Sequence, residues 1–408
     1  MDKLPESLLL EILSRLDNSA DVARCRVASK AFNNIFPDLR SIKLLCSRKW
    51  CKNSSSMTSI CFKKVFVDLI SKLRVVESVC IRLQEAVDVD PADKDFAKEW
   101  LPMVSQTLKS LSLSGLPFPR LSQLNILPLI SKYCHNLAEL NLRSAWLSVY
   151  NLNPMPMLTS LTLSYTILQD QHLNQFNKCF PNLHVLKLEG VTGLKEPKIH
   201  LLNLQTCHWY DNNQLSLTLI TPNLITLRIE CLCYTAIHVE APMLSHFHLI
   251  LNTLKHAGFL LSEFPTTKTV ETFILDSRSK APGDARYSKL TLGKVFRVFP
   301  NVSSLRINSG AWSELDGWEI LDGRIGLKTI CAYLKLFDPS LTFSYVARGL
   351  DRCVGLSEVS LLIHRGVDGT QYKSFMFKCM ARWPGLKWRW GIWGEDMEDF
   401  WITNAIDI

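Results

Sequence analysis

Apolar residues recur along this chain in one short template: an apolar residue, two others, a second apolar residue, one other and a third apolar residue. The copies are unevenly spaced, closest from Leu204 to Leu224 and widest from Val270 to Val302. A template sustained over this length is typical of repeat architectures, in which each unit packs on its neighbours. Twelve copies begin at Val76, Leu108, Leu137, Leu158, Leu183, Leu204, Leu224, Leu244, Val270, Val302, Leu327 and Leu356.

The last two apolar residues of each copy lie two positions apart, which predicts a short strand. Leu186 and Leu188 would point to one side of such a strand, and Lys187 to the other. One strand cannot bury its apolar face alone, but stacked strands share a continuous core. The closest copies leave too little room for a full crossover helix, which disfavours an ordinary doubly wound sheet. The pattern therefore predicts a leucine-rich-repeat solenoid, although it lacks the strictly spaced Asn or Cys of regular repeat classes.

Residues 1–45 follow a helical period instead. Pro5 suits the first turn of a helix, and Asn18 can cap a second one. A third short helix is predicted from Lys30 to Phe36, ended by Pro37. The apolar face of the first helix would either pack inside this module and on the first repeat, or face a partner. That face consists of Leu8, Leu9, Ile12, Leu13 and Leu16.

Four segments of the N-terminal module resemble an F-box: Leu4-Pro5, Leu8-Leu9, the run Ile12–Leu16 and the run Arg24–Phe32. With irregular leucine-rich repeats directly after it, the chain resembles a plant-type F-box/LRR-repeat protein. Ala28 stands where the family often has valine. Phe32 stands where tryptophan is common and keeps most of its apolar area. The resemblance implies an α/β fold with a three-helix F-box and a curved solenoid that carries a parallel sheet on its concave face.

The same resemblance implies a substrate receptor of an SCF-type ubiquitin ligase. The F-box would dock a Skp-type adaptor, and through it a cullin, while the repeats bind a target protein. We expect domains at 1–45 (F-box), 46–75 (connecting segment) and 76–408 (repeats with a C-terminal aromatic cap). The alternative is a non-catalytic scaffold or inhibitor whose N-terminal helices only cap the solenoid. The expected adaptor contacts are Leu4, Pro5, Leu8, Leu9, Ile12, Val27 and Lys30.

A second expected site follows from the position between the last two apolar residues of four successive copies. Lys187, His208, Arg228 and His248 occupy it, and each is basic or can become so. Adjacent strands lie about 4.8 Å apart, so a ridge of roughly 15 Å would suit an anionic target such as a phosphorylated or acidic peptide. We predict no cofactor, although an inositol-phosphate-type molecule, used by some plant relatives, would suit the same ridge. The alternative is a solvated charged face partly neutralised by Glu189 and Glu230.

Composition narrows the function classes. The net charge of +8 is modest for 408 residues, and we find no basic run with interleaved aromatic residues, so nucleic-acid binding is not expected. No apolar run is long enough to span a bilayer. The 13 cysteines contain no C-x-x-C pair, and the N-terminus has no secretory signal, so we expect a reduced protein of the cytoplasm or nucleus.

We also expect no catalysis, because common catalytic motifs are absent from the sequence. His246 and His248 share one strand face, but their geometry is poor for a metal and we expect none. The polar stretch Ser277–Tyr287 predicts an exposed loop. The aromatic stretch Trp383–Trp393 predicts a cap over the open end of the repeats.

Overall fold

The fold was analysed in a computed structural model that describes most of the chain as two compact units, Met1–Leu204 and Gln205–Ile408. The predicted loop Ser277–Tyr287 lies, after Ser277, outside the described residues. The described residues are 4–46, 59–83, 94–115, 125–211, 215–231, 234–252, 261, 264–265, 267–277, 290–308, 311, 326–395 and 397–402.

The first unit begins with the three predicted helices, α1 (Glu6–Arg15), α2 (Ser19–Ala28) and α3 (Lys30–Ile35). The Asn18 side chain accepts a hydrogen bond of 3.0 Å from the backbone N–H of Ala20, which confirms the predicted cap. The helices enclose a small core of their own, formed by Leu9, Leu13, Val22, Phe32, Ile35, Phe36 and Leu39.

Six strands of the first unit form a parallel sheet in chain order. They are β1 (Ser41–Cys46), β2 (Ser78–Leu83), β3 (Ser110–Ser114), β4 (Glu139–Arg143), β5 (Ser160–Ser164) and β6 (Val185–Glu189), and β7 (Lys198–His200) follows them. The helices between them are α4 (Ser59–Ser71), α5 (Lys94–Val104), α6 (Leu127–Tyr133), α7 (Asp170–Leu173) and α8 (Phe176–Cys179).

The sheet begins one strand earlier than the twelve copies predict. β1 pairs in parallel with β2, and its core residues belong to a further copy of the template that starts at Leu39 and continues with Ile42 and Leu44. All three side chains are at most 5% exposed. The expected connecting segment 46–75 also contains α4, whose Leu69 packs, like the following Leu73, against the core of the N-terminal helices.

The second unit carries eight parallel strands in the order β8, β10, β12, β13, β14, β15, β16 and β17, followed by the antiparallel strand β18. The strands β9 (Leu215–Ile220) and β11 (Tyr234–Glu240) form a separate parallel pair. The main strands are β8 (Thr206–Asp211), β10 (Thr226–Cys231), β12 (His246–Leu251), β13 (Thr272–Ser277), β14 (Ser304–Ile307), β15 (Thr329–Leu334), β16 (Glu358–His364), β17 (Lys387–Gly394) and β18 (Met397–Trp401). The helices are α9 (Leu292–Val298), α10 (Pro339–Leu350) and α11 (Gly369–Arg382).

The length of each repeat decides what connects its strands. The short repeats that begin at Leu204 and Leu224 contain β9 and β11 in place of a helix. The longer repeat from Val270 has room for α9, and that from Leu327 has room for α10. This confirms that the shortest repeats cannot hold a strand and a full helix.

The template positions form the core as predicted. Leu186, Leu188, Leu227 and Leu249 are at most 1% exposed. Across the twelve predicted copies every template residue is at most 3% exposed, except the half-buried Leu356. The expected strand register is therefore confirmed.

An asparagine ladder that the sequence analysis missed links successive repeats. Each asparagine stands directly before the first apolar residue of a copy, and its side-chain N–H donates to a backbone carbonyl of the repeat before. Such bonds satisfy backbone carbonyls that lie outside the strands and so have no partner in the parallel sheet. The pairs are Asn136 with Gln106 (2.8 Å), Asn182 with Pro156 (2.9 Å), Asn203 with Pro181 (2.8 Å) and Asn301 with Lys268 (2.7 Å).

The aromatic C-terminal stretch forms β17, whose outer edge pairs with β18. Trp388 and Trp390 share one strand face, with their rings stacked 5.3 Å apart. Asp399 of β18 accepts a hydrogen bond from the Tyr333 hydroxyl. An edge strand that is paired in this way presents fewer free backbone groups, which fits the interpretation of this region as a cap.

Candidate functional site

The N-terminal helices leave an apolar surface exposed beside their buried core. Leu8 and Ile12 lie one turn apart on α1 and are 46% and 42% exposed, while Leu4, just before the helix, is 42% exposed. We call these three residues the outer stripe. Leu9 and Leu13, on the other side of α1, are 2% and 1% exposed. One helix therefore divides its apolar residues between an internal core and an open surface.

The predicted adaptor contacts differ in how far their side chains are exposed to solvent. Val27, near the end of α2, has 91% of its surface exposed, and Pro5 and Lys30 are exposed as well. Leu9 is buried in the module, which corrects its assignment as an adaptor contact. The sequence alone does not show which of the adjacent residues Leu8 and Leu9 faces inward, because this depends on where α2 and α3 pack against α1.

The N-terminal helices also cover the start of the sheet. The backbone N–H of Lys43 in β1 donates to the Ser19 hydroxyl at 3.2 Å, and the Lys43 ammonium lies 3.4 Å from the Asp17 carboxylate. The module thus contacts the sheet through residues outside the outer stripe. Capping of the sheet therefore does not explain why the outer stripe is apolar.

A second candidate surface lies on the side of the second-unit sheet opposite to the template residues. His208, Arg228 and His248 stand side by side in the register of β8, β10 and β12. All three are half-buried. Lys187 is placed on β6 of the first unit, in register with Thr162 of β5.

Charges on this surface are more balanced than predicted. A guanidinium N–H of Arg228 lies 3.4 Å from a carboxylate oxygen of Glu230, a residue only 8% exposed. Burial lowers the pKa of His248 to about 4, and the nearby positive charges of Arg228 and Arg306 act in the same direction. His248 is therefore neutral at physiological pH and adds no positive charge to the predicted ridge. Desolvation of this kind depends on neighbouring strands and is not visible in the template.

A pocket of about 310 Å³ opens at the same place. It was missed because the sequence analysis considered only the position between the last two apolar residues of each copy. The position two residues earlier on each strand, occupied by Thr226, His246 and Thr272, faces the same side and also lines the pocket. The lining residues are His208, Ile225, Thr226, Arg228, His246, Phe247, His248, Thr272 and Ile274.

Comparison with known proteins places the chain in a family. The F-box-like family model matches residues 1–48. The F-box/LRR-repeat protein At4g29420 of Arabidopsis thaliana is 32% identical over 448 aligned positions, which cover 98% of this chain and 100% of that protein. The chain belongs to the F-box/LRR-repeat family. The resemblance inferred from its N-terminal residues and repeats is thereby confirmed.

A second relative is the F-box protein At1g10780 of Arabidopsis thaliana. It is 25% identical over 245 aligned positions, which cover 56% of this chain and 54% of that protein. This likeness is partial, whereas the first relative matches this F-box/LRR-repeat protein along almost its whole length.

Within the part of the chain that the structure describes, no group of three or more His, Cys, Asp or Glu side chains could hold a metal ion. Burial raises the pKa of the Cys207 thiol, which lies under the strand face, to about 12, so this thiol stays protonated. Of the helices in the described ranges, none is long and apolar enough to cross a bilayer.

The neutral state of His248 makes a pH-dependent prediction. Its pKa in the folded state is about 4, against 6.5 for the unperturbed side chain, so the unfolded chain takes up a proton first as the pH falls. The free energy of unfolding should therefore decrease between about pH 6.5 and about pH 4, and His248→Gln should make that decrease smaller. Urea denaturation at about pH 7 and about pH 5 measures the difference.

Thr226→Ser is the control, since Thr226 lines the same face of the sheet and its side chain does not titrate in this range. It should leave the pH dependence of stability as it is in the wild type. Equal behaviour of the two variants would show that His248 titrates like a solvent-exposed histidine.

Proposed function

We propose that this chain is the substrate-recognition subunit of an SCF-type ubiquitin ligase. Its F-box binds a Skp-type adaptor, and the strand face of the repeats binds the target protein. The observation that carries the proposal is the outer stripe, Leu4, Leu8 and Ile12, together with the almost fully exposed Val27. Apolar side chains exposed next to a complete core are typical of a protein-binding surface.

The role needs no catalytic group in this chain. A receptor that holds its target beside a ubiquitin-loaded enzyme accelerates transfer by proximity, because a bimolecular encounter becomes intramolecular. The cysteines whose side chains the structure describes form no disulfide bonds, which fits a reducing compartment such as the cytoplasm or nucleus.

The target is proposed to bind on the strand face of the second unit. Arg228 supplies a positive charge there, and the pocket beside it supplies a concave surface. Protein interfaces draw most of their affinity from a few anchors in such desolvated pockets. A convex, evenly charged surface would offer no comparable anchor point.

Co-expression of the full-length chain with a Skp-type adaptor tests the proposal. We expect the two proteins to co-purify and to elute together from a sizing column at a 1:1 ratio. Addition of a cullin and its RING partner should then yield a ligase that modifies this chain or a bound target. A chain that elutes alone at micromolar concentration of both proteins would instead support a scaffold whose helices only cap the repeats.

A further inference from the structure

We infer that the pocket on the strand face of the second unit holds an aromatic side chain of a protein segment, while Arg228 binds an acidic residue next to it. The inference rests on the proposed function in taking that segment to be part of the target. The fold alone predicts only that this face binds a target, whereas the inference names the residue types of the target that it binds.

The size of the pocket limits what it can hold. At about 310 Å³ it lies at the lower end of the range of roughly 300–1,000 Å³ for small-molecule sites. A folded element such as a helix does not fit this volume, whereas one large side chain does. An extended segment that passes over the strand face can insert a single residue of this kind.

The lining favours an aromatic residue over an aliphatic one. Three imidazole rings line the pocket: His208 comes from β8, and His246 and His248 come from β12, the two strands that flank β10. Rings prefer edge-to-face or offset contact with other rings, which adds to the gain from burying apolar area. Ile225 and Ile274 supply aliphatic contacts, and Ile225 is 42% exposed just before β10.

His248 strengthens the apolar character of the pocket. It is neutral at physiological pH, so this part of the pocket lining is an uncharged ring. Its Nε2 is buried and has no hydrogen-bond partner among the described residues. An aromatic ring placed against this side of the imidazole therefore breaks no hydrogen bond of the Nε2 atom.

Arg228 is the group that can bind an acid at the rim. Its side chain is 41% exposed, and the Glu230 carboxylate lies 3.4 Å away, a long contact for an ion pair. A guanidinium has five N–H donors, so a second carboxylate can bind without displacing Glu230. Arg306, on β14, instead donates to the Tyr333 hydroxyl and lies 3.6 Å from Asp399. Of these two arginines, Arg228 is thus the one that lines the pocket and is open to a ligand.

Selection of peptides from a random phage library on the purified full-length chain tests the inference. We expect the selected peptides to share an aromatic residue beside Asp or Glu. In fluorescence anisotropy, Ala in place of the aromatic residue, or Gln in place of Glu, should weaken binding about tenfold or more. Library selection without such a shared pair, or without any peptide specific for this chain, would overturn the inference.

Two pocket variants connect the peptides to the site. Ile274→Trp should fill the pocket and weaken every selected peptide about tenfold. Arg228→Gln should weaken peptides that carry Glu but leave their Gln versions unchanged, because the two changes remove the same contact. If both peptide versions weaken equally, the carboxylate does not bind Arg228 and the inference fails.

Matched controls lie outside the pocket on the same face. Thr329→Trp adds the same side chain on β15, and Arg389→Gln removes an arginine on β17 whose side chain is 50% exposed. Both should bind the selected peptides like the wild type. Displacement of the peptides by N-acetylphenylalanine at equal concentration would identify a small aromatic acid as the ligand and would overturn the assignment to a protein segment.

Adaptor binding by the same variants separates this inference from the proposed function. The pocket residues belong to the second unit and the outer stripe to the first. Ile274→Trp and Arg228→Gln should therefore co-purify with the adaptor at the wild-type yield. If the chain binds the selected peptides but no adaptor, the inference about the pocket stands and the proposal that the chain is a ligase subunit is refuted.

Discussion

Replacement of Leu8 and Ile12 together with aspartate is expected to abolish co-purification with a Skp-type adaptor. Both side chains are more than 40% exposed and lie outside the core of the module, so the charges are solvated in the free protein. On binding, two carboxylates would be buried against an apolar surface, where an unpaired charge is strongly unfavourable. The loss of two central apolar anchors, each worth about 2 kcal/mol or more, corresponds to an affinity reduced by roughly 1,000-fold or more.

The control for this double variant is Phe377→Asp. Phe377 is an exposed apolar residue of α11, 63% exposed, in the second unit. It should keep the wild-type adaptor yield. Circular dichroism and thermal unfolding should show that the double variant remains folded, since exposed positions contribute little to stability.

Leu9→Ala distinguishes residues that contact the adaptor from residues that only stabilise the fold of the N-terminal module. Leu9 lies in the core of the module at 2% exposure, so its truncation should lower stability and leave the outer stripe in place. Adaptor binding should then fail only at temperatures where the module unfolds. A folded double variant that still binds the adaptor at wild-type yield would contradict the proposed interface.

Much of the fold follows from local alternation in the sequence. A template such as Leu183, Leu186 and Leu188 places its residues on one side of a strand whatever the neighbouring repeats are, because the side-chain period of a strand is two. The burial of these residues was therefore predictable. The copy at Leu39 obeys the same template, but it was overlooked because it stands inside the segment assigned to the helical module.

The candidate sites were less predictable because they depend on contacts between elements. Leu8 and Leu9 are equivalent in composition, and only the packing of α2 and α3 makes one a surface residue and the other a core residue. The charge of His248 depends on burial and on arginines from other strands. The pocket depends on the combined side chains of β8, β10, β12 and β13, which no single copy of the template contains.

The same reasoning predicts a large effect for Leu227→Ala in the repeats. Leu227 is fully buried in β10, and the flanking template residues Cys207 and Phe247 are in register with it on β8 and β12. Truncation leaves a cavity that neighbouring strands can close only partly, at a cost of about 2–5 kcal/mol. Urea denaturation should show a lower midpoint, and hydrogen exchange should show where protection is lost.

Thr226→Ala is the matched control, because Thr226 precedes Leu227 but faces the opposite side of the sheet. It should change stability by no more than about 0.5 kcal/mol. In a stacked repeat each unit is stabilised by its neighbours, so faster exchange in Leu227→Ala should centre on β10 and extend first to β8 and β12. Equal destabilisation by the two substitutions would contradict the register in which template residues face the core, and with it the position of Arg228 and the pocket on the other side.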